Sequence, residues 1–149
     1  MGAKEITLIG QNVNSYKDPE SNLNFAQLLK SIALIDGDFW IRFMSPHPKD
    51  MTLDVINIMA QYQDKICGFV HHPVQSGSNK ILEAMNRSYT VEKYLEQIDW
   101  IKKYLPTATI FTDIIVGFPG EIETDFMETV KLVETVKFDN VYSFIFFTT

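Results

Sequence analysis

Residues 109–121 read TIFTDIIVGFPGE. The first eight, Thr109–Val116, are nearly all β-branched or apolar, the composition of a strand covered by other structure. Gly117-Phe118-Pro119-Gly120 stops that run with a tight turn. Thr124–Val136 then carries apolar residues at helical spacing. Strand, turn and amphipathic helix in this order make half of a βαβ repeat.

The unit recurs in both directions. Upstream, Val91–Leu105 reads as a helix capped by Thr90 and ended by Pro106, with a shorter helix at Asn79–Met85. Gly68–Val74 (GFVHHPV) reads as a strand before them. Thr52 caps a helix bearing Val55, Ile56 and Met59, which follows the strand Phe39–Met44 (FWIRFM). Phe25, Leu28, Leu29, Ile32 and Ile35 mark a helix over about Leu23–Ile35, behind a first strand Glu5–Ile9 (EITLI). Downstream, Val141–Phe147 (VYSFIFF) is a fifth strand. The order β-α-β-α-β-αα-β-α-β predicts an α/β fold with a parallel sheet and no internal domain boundary. A complete eight-unit barrel takes about 250 residues, so the candidates are a doubly wound sheet and a partial barrel.

Composition narrows the class. The chain has 149 residues, 46% of them hydrophobic and 21% charged, which suits one buried core. No apolar run approaches the roughly 18 residues of a membrane span, and the N-terminus lacks a signal-peptide pattern, so a cytoplasmic setting is expected. Net charge is −6, without the basic excess of an autonomous nucleic-acid binder. One cysteine, Cys67, excludes a disulfide framework and a self-contained multi-cysteine metal site; a buried small hydrophobe is expected there.

In parallel α/β sheets ligands bind at the carboxyl ends of the strands. The loops there are GQNVNSY (10–16), SPHP (45–48), PVQSGS (73–78), GFPGE (117–121) and FTT (147–149). The first four are rich in Gly, Ser, Gln, Asn and Pro, whereas the opposite connections look like plain turns. GFPGE reads either as a tight turn or as a backbone cradle for an anionic or adenine-bearing ligand. In PVQSGS, Ser76 and Ser78 read as helix caps or as ligand donors. His71 and His72 are adjacent on a strand and point to opposite faces, which argues against a histidine metal centre and places one ring inside. Arg87 offers a fixed guanidinium fork suited to a carboxylate. Asp113, late in its strand, is placed to accept hydrogen bonds from a ribose or an amine.

Taken in order and spacing, EITLIGQNVNSY, RFMSPHP, HHPVQSGS, EAMNRSYT and DIIVGFPGE resemble the radical S-adenosylmethionine methylthiotransferases. The loop Gln11-Asn12-Val13-Asn14 and the loop Ser45-Pro46-His47-Pro48 favour the MiaB-type branch. The resemblance runs from about Gly2 to Phe146. It implies a partial parallel (β/α) barrel, about five of six strands, that binds S-adenosylmethionine over a 4Fe-4S cluster. The implied activity is addition of a methylthio group to an isopentenylated adenosine beside the tRNA anticodon, with tRNA as partner and the electron donor left open. Carried over by position, Gln11 and Asn12 lie near the methionyl amine, and Ser45 and His47 at the next strand end. Gln75, Ser76 and Ser78 line the cofactor, Arg87 meets its carboxylate, and Gly117, Phe118 and Glu121 stand beside the adenine.

The chain also departs from the family pattern. The Cys-x-x-x-Cys-x-x-Cys cluster motif does not occur, and His72 and Ile122 stand where Leu and Thr are usual. Residues 1–149 are therefore expected to be an incomplete core, without the cluster-binding first strand, an auxiliary-cluster domain or an RNA-binding domain. Such a chain is expected to be inactive alone and to oligomerise or aggregate through an exposed sheet edge. Another radical enzyme core with the same turn, or a non-catalytic remnant that binds a nucleoside or a partner, are the alternatives.

Overall fold

The computed structural model describes residues 2–147. Five strands alternate with helices: β1 Glu5–Leu8, α1 Phe25–Ala33, β2 Trp40–Phe43, α2 Leu53–Gln61 and β3 Phe69–His71 come first. They are followed by α3 Asn79–Ala84, α4 Val91–Tyr104, β4 Thr109–Val116, α5 Glu123–Val136 and β5 Asn140–Ile145. Short 3-10 turns at Val13–Ser15 and Pro48–Asp50 sit in the loops after β1 and β2. The expected order is present throughout. Of the expected loop after the fifth strand, Thr148 and Thr149 lie outside the described residues.

Local chemistry sets the boundaries. Asn24 caps α1 in a reciprocal box: its side chain accepts from the Gln27 N–H and the Gln27 side chain accepts from its own N–H. The helix therefore starts after Asn24, two residues later than its apolar pattern suggests. Thr52 and Thr90 cap α2 and α4 as expected. The third strand is shorter than its apolar run because Pro73 has no N–H to give the ladder. Pairing resumes beyond it, where Gln75 donates to the Asp113 carbonyl and accepts from the Ile115 N–H.

All pairings are parallel: β1 with β2, and β3 with β4 and β5. Ile41 stitches the two groups by donating to the Lys65 carbonyl at 2.8 Å and accepting from the Cys67 N–H at 2.9 Å. The strand order is thus 1-2-3-4-5, with no reversal. A doubly wound sheet reverses its order at a switch point and carries helices on both faces. Here the order is sequential, and one face holds the apolar core: Ile41, Phe43, Val70, Ile110 and Ile114 pack with Leu29, Ile56, Tyr94, Ile98 and Leu132. The partial barrel is the architecture, and no closed barrel forms among the described residues. The alternate residues, including Trp40, Arg42, Phe69, His71, Phe111, Asp113 and Tyr142, face the other side. No described helix is long and apolar enough to cross a membrane.

Candidate functional site

The carboxyl ends of β1 and β2 are joined by a buried amide. Asn14 donates to the His47 carbonyl at 2.9 Å and accepts from the His47 N–H at 2.8 Å, fixing that residue's backbone from both sides. Asn12 donates to Asp50 Oδ2 at 2.9 Å, while its own Oδ1 is buried without a partner. Ser45, between the strand and His47, is exposed and adopts φ 56°. Gln75, at the corresponding end of β3, adopts φ 71°. Non-glycine residues in this left-handed region cost about 1–3 kcal/mol each, and such strain clusters at functional sites.

Arg87 follows α3 and returns to the same face. Its Nη1 stands 3.4 Å from His47 Nε2, and its Nε is buried with no acceptor. His47 Nδ1 already accepts from the Lys49 N–H at 3.1 Å. A neutral imidazole has one acceptor nitrogen, so the hydrogen-bond network assigns its proton to Nε2. That N–H then faces the guanidinium, donor against donor. Burial, with the Arg87 charge second, holds the His47 pKa below its ordinary value, which keeps the ring neutral. The Tyr89 ring packs edge-on against His47 at 5.6 Å, and its hydroxyl donates to the Val74 carbonyl. Burial pushes the Tyr89 pKa up to about 12, so it stays a donor.

Arg87 Nε is thus a buried donor without an acceptor, and Asn12, tied to the His47 loop through Asp50, carries a buried acceptor without a donor. An unpaired buried polar group costs about 1–3 kcal/mol, and a ligand that completes the set recovers that cost. A zwitterionic amino-acid group has the matching chemistry: a carboxylate for Arg87 and His47, an ammonium for Asn12.

The remaining sequence-derived residues fall into three places. Asp113 Oδ1 lies 3.0 Å from His71 Nε2 on the open face, so His71 is the inward histidine. His72 is fully buried on the helix side, 3.1 Å from Gln97 Oε1 and stacked on Tyr94. Gly117, with φ 73°, opens the turn after β4, and Glu121 closes it by accepting the Gly117 N–H; Glu121 Oε1 is buried and unpartnered. Phe118 packs edge-on against Phe146 at 4.9 Å. Gln11 is exposed.

Ser76 and Ser78 do not offer free hydroxyls. Ser76 Oγ accepts from the Ser78 N–H at 3.1 Å, and Ser78 Oγ donates to Asp125 Oδ1 at 2.8 Å. Neither caps α3 through its side chain. The cause is Gly77, whose backbone lies directly on α5 and turns both serines toward that helix. Asp125 also accepts from Lys80 at 2.7 Å and from the Ile122 N–H, and Lys80 reaches the Gly120 carbonyl at 3.0 Å. The Lys80 hydrogen bond leads the causes that hold the Asp125 carboxyl below its ordinary pKa. This joint ties the GFPGE turn to α3. Sequence reasoning missed Asn14, Gln97, Lys80 and Asp125, because polar residues in a loop or on a helix carry no local sign of burial.

The residues present do not fit an iron–sulfur cluster. Such a site needs about three thiolates, and the chain has one cysteine. Among the described residues no group of three His, Cys, Asp or Glu side chains is placed to hold a metal ion.

The chain is similar to the tRNA-2-methylthio-N(6)-dimethylallyladenosine synthase of Clostridium botulinum strain Hall, at 55% identity over 146 residues. That match covers 97% of this chain and 32% of the relative. Proteins of the same name from Fusobacterium nucleatum and Thermoanaerobacter sp. strain X514 are 53% and 56% identical, again over 97% of the chain. They are covered over 33% and 31% of their length, so the chain spans about a third of these curated relatives. The sequence profile of the Radical SAM superfamily matches residues 1–133. That match covers most of the chain, and the sequential parallel sheet is consistent with it: the chain belongs to the radical SAM superfamily.

Proposed function

We propose that this chain supplies the S-adenosylmethionine-holding wall of a tRNA methylthiotransferase that acts on N(6)-dimethylallyladenosine. The observation that carries the reading is the approach of Arg87 Nη1 to His47 Nε2 at 3.4 Å beside an Arg87 Nε that is buried without an acceptor. The relatives' shared name supplies the substrate and the reaction. Residues 1–149 act as the cofactor-binding part of the core, and tRNA is bound by the whole protein.

Bound S-adenosylmethionine would supply a sulfonium open to reductive cleavage and a methyl group to donate. The chain's own residues hold it. Arg87 and the neutral His47 ring clamp the carboxylate, and Asn12 Oδ1 accepts from the amine. Ser45 and Gln75 present their strained backbones at the same rim, and Gln11 borders the amine side. Gly117 and Phe118 frame the adenine, with Glu121 holding the turn in shape. Asp113, oriented by His71, takes the ribose from the open face. Ser76 and Ser78 serve the pocket indirectly by pinning its loop to α5.

Titration calorimetry with S-adenosylmethionine tests this reading. Saturable binding is expected, weakened about tenfold or more in Arg87→Ala and less in Arg87→Lys, which keeps the charge but loses the fork. 5′-Methylthioadenosine, which lacks the amino-acid group, is expected to bind both forms equally. Absence of saturable S-adenosylmethionine binding by the unaltered chain overturns the reading.

A further inference from the structure

Gln97 lies on α4, outside the ligand-facing loops, yet its side chain is fully used. Its Nε2 donates one hydrogen to the Pro48 carbonyl at 2.7 Å and the other to the Met51 carbonyl at 2.8 Å. Both carbonyls belong to the loop that carries His47. Gln97 Oε1 is therefore an acceptor with one neighbour left, His72 Nε2 at 3.1 Å. That assigns the His72 proton to Nε2 and leaves Nδ1 as a bare, buried nitrogen without a partner. The His72 ring cannot turn freely: it stacks on Tyr94 at 4.6 Å and 13°, and the Tyr94 hydroxyl donates to the His72 carbonyl at 2.7 Å. The amide orientation of Gln97 is locked as a result. If it flipped, its oxygen would face two carbonyls and its NH2 would meet the His72 N–H.

The loop after β2 is thus held from two sides, by Asn14 at His47 and by Gln97 at Pro48 and Met51. We propose that Gln97, locked in orientation by His72, is a positioning residue that holds the Ser45–Met51 loop so that His47 stands against Arg87. It touches no ligand and acts through the loop. The proposal rests on reading Arg87 and His47 as the carboxylate clamp, but its test contains no ligand.

The measurement is an NMR pH titration of the His47 ring in the full 149-residue chain. The charged and titratable groups facing His47 are Arg87, Asp50, Lys49, His72 and Tyr89, the last a neutral phenol. Asp50 and Lys49 move with the loop, so its release changes chiefly burial and the distance to Arg87, the two leading causes of the depressed His47 pKa. In Gln97→Met the His47 midpoint is expected to rise toward its ordinary value, with faster exchange of the Asp50 and Met51 amides. Should the single variant unfold, the double variant His72→Leu/Gln97→Met gives the same readout at a smaller loss of stability, because it removes the stranded His72 N–H and leaves only the Pro48 and Met51 carbonyls without a donor. An unchanged His47 midpoint in either folded variant overturns the proposal and leaves the pair as core filling. If the unaltered chain fails to bind S-adenosylmethionine, the functional reading falls while the His47 titration still decides the clamp.

Discussion

Gly77 sits so close to Thr129 that a Cβ built on it would stand 2.5 Å from the Thr129 Cα and 2.6 Å from the Glu128 carbonyl oxygen. The Gly77 N–H donates to Thr129 Oγ1 at 2.8 Å, so loop and helix are in backbone contact. This contact is what turns Ser76 and Ser78 toward α5.

Gly77→Ala is therefore expected to destabilise the chain by about 2–3 kcal/mol or more, since the obstacle is backbone and cannot rotate away. Urea unfolding of the two forms measures it. A loss below about 0.5 kcal/mol would mean that loop and helix are not in contact.

Asn14 makes two hydrogen bonds to the His47 backbone from a buried position. Truncation in Asn14→Ala leaves a buried N–H and a buried carbonyl unpaired, which costs about 2–4 kcal/mol. Stability measured by chemical denaturation checks this, and Asn14→Asp, which retains only the acceptor, is expected to recover part of the loss.

His72 makes stability depend on pH. Full burial pushes its pKa down to about 3, from 6.5 in an unfolded chain. The unfolded form therefore binds the proton first as pH falls. The neutral ring's contribution is complete above pH 6.5 and is lost progressively toward pH 3. Between pH 7 and pH 4 this amounts to about 3 kcal/mol. Denaturation across that range is expected to show a steeper loss in the unaltered chain than in His72→Leu. Parallel pH profiles would contradict the burial of this ring.

One cysteine cannot provide a three-thiolate site. Anaerobic reconstitution with iron and sulfide is expected to give no four-iron absorption and no cleavage of S-adenosylmethionine by this chain. A reconstituted cluster with turnover would refute that expectation.

Much of the scaffold was legible in the sequence because its signals are local. The β-branched run at 109–116 and the capping residues Thr52 and Thr90 act within a few neighbours. Their elements appear where the pattern places them, within one or two residues. Among the candidate residues, Arg87 and His47 come within 3.4 Å of each other. Ser76 and Ser78 carry the same hydroxyls that a ligand-binding loop would use, and only the distant Gly77–α5 contact decides that they face a helix. Asn14 stood in a quoted loop and Gln97 in a helix, but neither showed its role, because their partners are backbone carbonyls and N–H groups 33 to 49 residues away.

By itself, the sequence determined the alternation of strands and helices, the face on which the polar loops gather, and the lack of cysteines for a cluster. These follow from period, turn chemistry and composition, which are properties of short stretches. Only the tertiary structure decided between a doubly wound sheet and a partial barrel, since both share one element order and differ in which strands pair. It also decided which polar side chains have spare hydrogen-bonding capacity. That depends on burial and on every neighbour at once, and it singles out Arg87, Asn12 and Glu121 from a longer set of plausible residues.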